Sequence, residues 1–216
     1  MQKHEVIILI PCFNEEKTII KICKRAENLG QVLIIDDKST DRSVMLMKKE
    51  RINFLSNKKN LGYENSLIKG FRHIIKSFKK TKYILTLDAD GELPVKNIPK
   101  IIKTMKDKKC DLVIGSRSNF NRFSENILDK IFRFKFGLKD PISGFKIYKK
   151  ESLKRIINKI SDNMFLVDIL TKFHKLNFSM VNIDVITKKR VDQSRVGNKL
   201  MSNLKILKIA YKIWYR

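Results

Sequence analysis

Cysteine is scarce: Cys12, Cys23 and Cys110 are the only three, they are scattered, and no CxxC pair occurs. This argues against a disulfide framework or a cysteine zinc site and for a reducing, cytosolic setting. Long apolar runs are also missing. The opening stretch turns to proline and charge at Pro11, too soon for a secretion-signal core, and nowhere do 18 apolar residues follow one another, so no membrane span is expected. Acidic residues are in short supply, 22 against 47 Lys and Arg, leaving a net charge of +25. There is no internal repeat, no Pro/Gly-rich linker, no P-loop, no GxSxG and no Cys/His nucleophile pattern. His4, His73 and His174 stand isolated and are read as surface or core residues.

What is present is a chain of 216 residues with 43% hydrophobic side chains, enough for one well-filled domain. The basic excess favours nucleic acid, an anionic membrane surface or a phosphorylated ligand as partner, and also reflects a Lys, Ile and Asn bias along the whole chain. Short runs rich in Ile, Leu and Val at 5–10, 32–36, 52–56, 83–88 and 111–116 predict strands buried on both faces. Helical stretches intervene near 15–29, 40–50, 61–79 and 95–108. The alternation predicts an α/β fold, a three-layer sandwich around a mostly parallel sheet. Further on, a basic aromatic stretch covers 119–139, a strand 144–149, a helix pair runs to about 176, and a strand covers 180–186. The expected organisation is one domain over 1–199 and a basic amphipathic C-terminal helix over 200–216.

Ligands of open α/β sheets bind beyond the carboxyl ends of the strands. Polar residues gather there: Asn14 and Glu15 after the first strand, Asp36 and Asp37 after the second, Asp88 and Asp90 after the fourth, Ser116 and Arg117 after the fifth. One such turn alone reads as a helix cap; four converge on one crevice. Side chains at i and i+2 of an extended segment share a face, so Asp88, Asp90 and Glu92 are expected to aim oxygens at a common point. Oxygen-only ligands suit Mg2+ or Mn2+, which keep one or two protein carboxylates and complete their shell with water and substrate phosphates. Gly62, Ser66 and Gly70 read as a small-residue ridge on a helix, allowing close approach to the sheet.

Six segments in register, "IPCFNEEKTI", "LIIDDKSTDRS", "NKKNLGYENSLIKGF", "TLDADGELP", "VIGSR" and "DPISGFKIYKK", resemble the family 2 glycosyltransferases with the GT-A fold. They look most like the dolichol-phosphate mannose synthase and polyprenyl-phosphate glycosyltransferase branch. The resemblance implies that Pro11, Asn14, Glu15, Asp36 and Asp37 face the base and ribose of a nucleoside-diphosphate sugar, and Asp88 its ribose and sugar side. It implies that Asp90 is a catalytic metal ligand and that Glu92, where mannose synthases often carry Gln, lies near the metal. It places Arg117, Arg122, Arg190 and Arg195 around the phosphate of a lipid acceptor, although "RVDQSRVG" departs from the family's usual R-x-x-G-x-S-K, with Asp192 in the glycine position and Arg195 in the lysine position. Arginine suits that task because its planar fork binds phosphate oxygens in pairs and stays charged.

Two stretches divide into faces suited to an anionic bilayer surface. In 200–216, Lys205, Lys208, Lys212 and Arg216 lie on one side, and Leu200, Leu204, Leu207, Tyr211 and Trp214 on the other. In 122–136, Arg122, Lys130 and Arg133 oppose Phe123, Ile127, Ile131 and Phe134. Packing on their own domain is the alternative for both. A phosphate monoester acceptor is already anionic and needs only positioning, whereas a sugar hydroxyl needs a general base; Asp140 and Asp168 are the candidates for that base. The expected reaction is therefore inverting hexosyl transfer to a polyprenyl phosphate at the cytoplasmic face of a membrane. A hydroxyl acceptor on a glycan is the alternative. Nucleic acid is not expected as a partner, since such binding would leave the carboxylate turns without a role.

Overall fold

The computed structural model describes residues 3–120, 122–160, 164–188 and 199–215. The first half alternates β1 (Val6–Cys12), α1 (Ile19–Ala26), β2 (Gln31–Asp36), α2 (Ser43–Lys49), β3 (Phe54–Ser56), α3 (Tyr63–Ser77), β4 (Tyr83–Thr86), α4 (Ile98–Asp107) and β5 (Leu112–Ser116). The second half supplies α5 (Phe123–Phe136), β6 (Lys146–Lys149), α6 (Lys150–Lys154), α7 (Phe165–Lys175), β7 (Met180–Asp184) and α8 (Lys199–Trp214). The strands form one sheet in the order β3-β2-β1-β4-β6-β5-β7. Every pairing is parallel except those of β6, which runs antiparallel to both β4 and β5. The mostly parallel α/β sandwich read from the sequence is therefore the fold.

β1 shows why the sheet is covered on both sides. All of its residues are buried; Ile7 and Leu9 enter one core with α3, α5, α7 and α8, while Val6, Ile8 and Ile10 enter the other with α1 and α4. This is the period-2 alternation of a strand with two apolar neighbours. α3 approaches closely because it presents Ser66, fully buried, and Gly70, where a Cβ would come within 2.4 Å of Leu9. Gly62 is not part of that ridge. It stands just before the helix with φ of 86°, a left-handed turn that glycine adopts without steric cost.

The sequence divides α8 into two faces, but the structure gives it three. Ile206, Ile209, Ala210 and Ile213 are buried in the core shared with α5 and α3. Lys205, Lys208 and Lys212 are exposed on a second face. Leu204, Leu207, Tyr211 and Trp214 form a third that stays exposed, with Leu204 at 51% and Trp214 at 49%. α5 and α8 are tied at both ends: Ser124 Oγ donates to Asn203 Oδ1 at 2.5 Å, and Lys135 Nζ donates to the Ile213 and Trp214 carbonyls at 2.8 and 2.6 Å. The packing alternative therefore holds for the inner face of the helix, while an apolar face is left exposed. Among the described residues no helix is long and apolar enough to cross a membrane. Ile209→Ala should cost about 2–4 kcal/mol in chemical denaturation, a cavity in the core, whereas Leu204→Ala should stay within about 0.5 kcal/mol.

Candidate active site

The site begins where the loops after β1 and β2 are laced together. Asn14, at φ of 56°, accepts from the Thr40 backbone N–H at 2.7 Å through Oδ1, and its own N–H donates to Ser39 Oγ at 2.9 Å. The Glu16 carboxylate accepts from Arg42 twice, at 3.0 and 3.1 Å, and Glu15 N–H donates to Ser43 Oγ at 2.9 Å. Asp36 Oδ1 accepts from Ser39 N–H at 3.1 Å. Asp37 reaches further along the chain: it accepts from the Leu61 and Gly62 N–H groups and from Asn57 Nδ2, each at 2.8 Å. Pro11, Glu15, Asp36 and Asp37 are buried. The loops after β1 and β2 are thus bonded to each other, and Asn14 and Asp37 hold neighbouring backbone in place.

The acidic turn departs from its sequence reading. β4 ends at Thr86, so Asp88 to Glu92 form a turn rather than an extended segment, and the i, i+2 alternation does not apply. Asp90 Oδ1 folds back to accept from Glu92 N–H at 2.9 Å across Gly91, whose φ is 77°. Asp88 points elsewhere. Its Oδ1 accepts from the Tyr63 hydroxyl at 2.6 Å, and its carboxylate lies against Gly144, where a Cβ would sit 2.2 Å from Oδ2. The three carboxylates therefore do not gather, and among the described residues no three acidic, His or Cys side chains group closely enough to hold one ion. Burial first, and then the charge of Asp90, push the Asp88 carboxyl up to about 6, although Tyr63 and Arg117 work against the shift. A turn so rich in negative charge, with oxygen donors only, still fits Mg2+ or Mn2+ held by Asp90 and Glu92, the rest of the shell coming from water and phosphate.

Sequence reasoning assigns nothing to Tyr63, the first residue of α3. The structure makes its hydroxyl a donor to the site, and burial together with Asp88 raises its pKa well above the ordinary value, which keeps the proton on the phenol. Its signal in the sequence was only a tyrosine next to Gly62.

Beyond β5 lies a buried ionic cluster. Arg117 clamps Asp140 in both directions of its fork, Nε to Oδ2 and Nη2 to Oδ1 at 2.9 Å each, and its backbone N–H donates to the same carboxylate at 3.0 Å. Glu125 and Glu92 approach the same guanidinium at 3.6 and 3.7 Å. Burial opposes the charge on Arg117, but these three carboxylates outweigh it and raise its pKa. Arg122 pairs with Glu125 at 2.9 Å. Lys146, fully buried on β6, donates to the Pro141 and Ser143 carbonyls, and burial lowers its pKa to about 7. Asp140, fully buried with both oxygens in the Arg117 fork, is not placed as a free base. Asp168 is on α7, buried and paired with Lys172 at 2.8 Å. Arg190 and Arg195 lie outside the described residues.

The family model described as Glycosyl transferase family 2 matches residues 7–165, more than half of the chain. An uncharacterized protein of Methanocaldococcus jannaschii is 28% identical, the match covering 96% of this chain and 91% of that protein. The dolichol-phosphate mannosyltransferase of Pyrococcus furiosus is 27% identical over 78% of this chain but 53% of its own length, so this chain spans about half of it. Among solved structures, glucosyl-3-phosphoglycerate synthase from Mycobacterium tuberculosis, in complex with Mn2+, uridine-diphosphate-glucose and phosphoglyceric acid, superposes with a TM-score of 0.70 at 16% identity, covering 95% of this chain and 79% of that one. That likeness establishes the shared GT-A fold. If the Tyr63 hydroxyl steadies Asp88 for a ligand, Tyr63→Phe should weaken binding of a nucleoside-diphosphate sugar about tenfold in calorimetry, the cost of one hydrogen bond to a charged group, with little change in melting temperature. Unchanged binding would remove Tyr63 from the site.

Proposed function

The chain belongs to glycosyl transferase family 2, and from that premise we propose that it moves a hexose from a nucleoside-diphosphate sugar to a polyprenyl phosphate at the cytoplasmic surface of an anionic membrane, with Mg2+ or Mn2+. The observation that carries this reading is the continuity of two surfaces. Arg117, just after β5, and Arg122, just before α5, both approach Glu125 in the first turn of α5, and the exposed apolar side chains of α5 and α8 begin at Phe123, next to Arg122 and itself 77% exposed. A lipid phosphate presents charge and hydrocarbon in the same order. The name of the Pyrococcus relative agrees with such an acceptor.

In this reading Pro11, Asn14, Glu15, Asp36 and Asp37 form the floor for the nucleotide, and Asp88, steadied by Tyr63 and Gly144, faces the donor sugar. Asp90 and Glu92 hold the cation, which offsets the charge of the departing nucleoside diphosphate. The acceptor phosphate is already an anion and attacks the anomeric carbon in one inverting displacement, so the residues around it orient rather than deprotonate. Arg117, Arg122, Arg190 and Arg195 are assigned to that phosphate. The engagement of Asp140 with Arg117 and of Asp168 with Lys172 favours this acceptor over a hydroxyl, which would need one of them as a base.

The outward face of α8, with Leu204, Tyr211 and Trp214 beside Lys205, Lys208 and Lys212, is assigned to the bilayer surface. Phe134 of α5, 79% exposed, stacks on Trp214 with centroids 6.0 Å apart and extends it. Three free, buried cysteines agree with a cytoplasmic setting.

Two measurements test these assignments. Incubated with Mn2+, a labelled nucleotide-sugar panel and a short polyprenyl phosphate, the protein should carry label into the organic phase, with a loss of at least about 100-fold in Asp90→Ala; transfer to a glycan hydroxyl instead would replace the acceptor. Flotation with anionic vesicles should fall several-fold in Tyr211→Ser/Trp214→Ser, whose side chains lie outside the core, and unchanged flotation would free the helix of this role.

A further inference from the structure

Glu125 is a carboxylate in an unusual position. It sits in the first turn of α5, only 3% exposed, and its Oε1 accepts from Arg122 Nη1 at 2.9 Å. Its Oε2 faces Arg117 Nη2 at 3.6 Å, too long for a hydrogen bond, and makes no hydrogen bond among the described residues. An acidic residue in a first helical turn is ordinarily stabilised by the helix dipole alone. Here it also bridges the two described arginines assigned above to the acceptor's phosphate. A buried carboxylate oxygen left without a donor is a poor fit to two guanidinium groups that hold more donors than one carboxylate uses.

We propose that Glu125 is an internal stand-in for the acceptor's phosphate: it holds Arg117 and Arg122 in place while the site is empty, and an incoming phosphate monoester displaces it. This rests on the lipid-phosphate reading above and adds to it a residue that sets acceptor affinity. A phosphate monoester brings up to two negative charges and three oxygens, so it can satisfy the donors of both arginines that a single carboxylate leaves idle. Arg117 keeps its grip on Asp140 through Nε and one Nη2 bond, and presents Nη1 and the remaining Nη2 proton toward Glu92 and Glu125. The exchange therefore needs only Glu125 to turn aside. The same helical turn is bonded to α8 through Ser124 and Asn203 and carries the exposed Phe123, so a phosphate at the bilayer surface arrives at this turn. Glu125 is thus a positioning residue that competes with substrate, and it excludes anions too weak to replace it.

The test is calorimetric binding of a water-soluble short-chain prenyl monophosphate to the full chain and to Glu125→Gln, with a nucleoside-diphosphate sugar and Mn2+ titrated separately. Removal of the competing charge should tighten prenyl monophosphate binding about five- to tenfold while leaving nucleotide-sugar binding unchanged, a selectivity that a merely structural role would not produce. Equal or weaker binding of the prenyl phosphate by Glu125→Gln overturns the proposal, since Glu125 would then serve the arginines rather than compete for them. If neither protein binds the prenyl phosphate but both bind the nucleotide-sugar, the acceptor reading fails and takes this inference with it. Should Glu125→Gln melt early, Glu125→Asp keeps the charge but shortens its reach, and about two- to threefold tighter binding is expected from it; unchanged or weaker binding by that variant counts equally against the proposal.

Discussion

The bidentate pair between Arg117 and Asp140 is the constraint on which the rest of the site depends. Asp140 is fully buried at φ of 48°, and its backbone N–H donates to Asp129 Oδ1 at 2.7 Å, while Asp129 in turn binds Arg133. A buried carboxylate is tolerated only with its charge and lone pairs answered. That requirement fixes the chain leaving β5 against the loop between α5 and β6. The loop then carries Gly144, which gives Asp88 its place, and leads into Lys146 at the start of β6, whose ammonium binds the loop's Pro141 and Ser143 carbonyls. The same guanidinium faces Glu92 of the acidic turn and Glu125 of α5, so carboxylates of two separate segments share one cation.

Charge is distributed in a way that the total of +25 conceals. Carboxylates stand after the carboxyl ends of β1, β2 and β4, and the raised pKa of Asp88 registers its burial first and then the charge of Asp90. Lysines line the outer face of α8 beside its exposed apolar side chains. Acidic loops at the strand ends and a basic outer helix face thus lie on one protein. The two fields serve different parts of one proposed reaction.

Strand positions were legible because five Ile-, Leu- and Val-rich runs have the length and flanks of strands in a covered sheet, and these and the two further strands expected at 144–149 and 180–186 are all strands. The direction of β6 was not, since pairing partners depend on which crossover a loop takes. The inner face of α8 was missed because the contrast between lysines and aromatics dominates its projection, while Ile206, Ile209 and Ile213 fall between the two. Residues of the crevice could be listed from the ends of strands, but their duties could not. Asp37 holds Leu61 and Gly62, Tyr63 reaches Asp88, and Arg117 clamps Asp140, and each bond joins segments more than twenty residues apart. Hydrogen bonds of that span leave no local pattern to read.

The most direct test of the account is a crystal of the protein soaked with Mn2+ and a nucleoside diphosphate, with the metal located by its anomalous scattering. The account predicts one strong peak within coordination distance of Asp90 and Glu92 carboxylate oxygens and of the diphosphate, with Arg117 still forked on Asp140. A peak elsewhere, or a diphosphate bound at full occupancy away from the Asp88 to Glu92 turn, would contradict it.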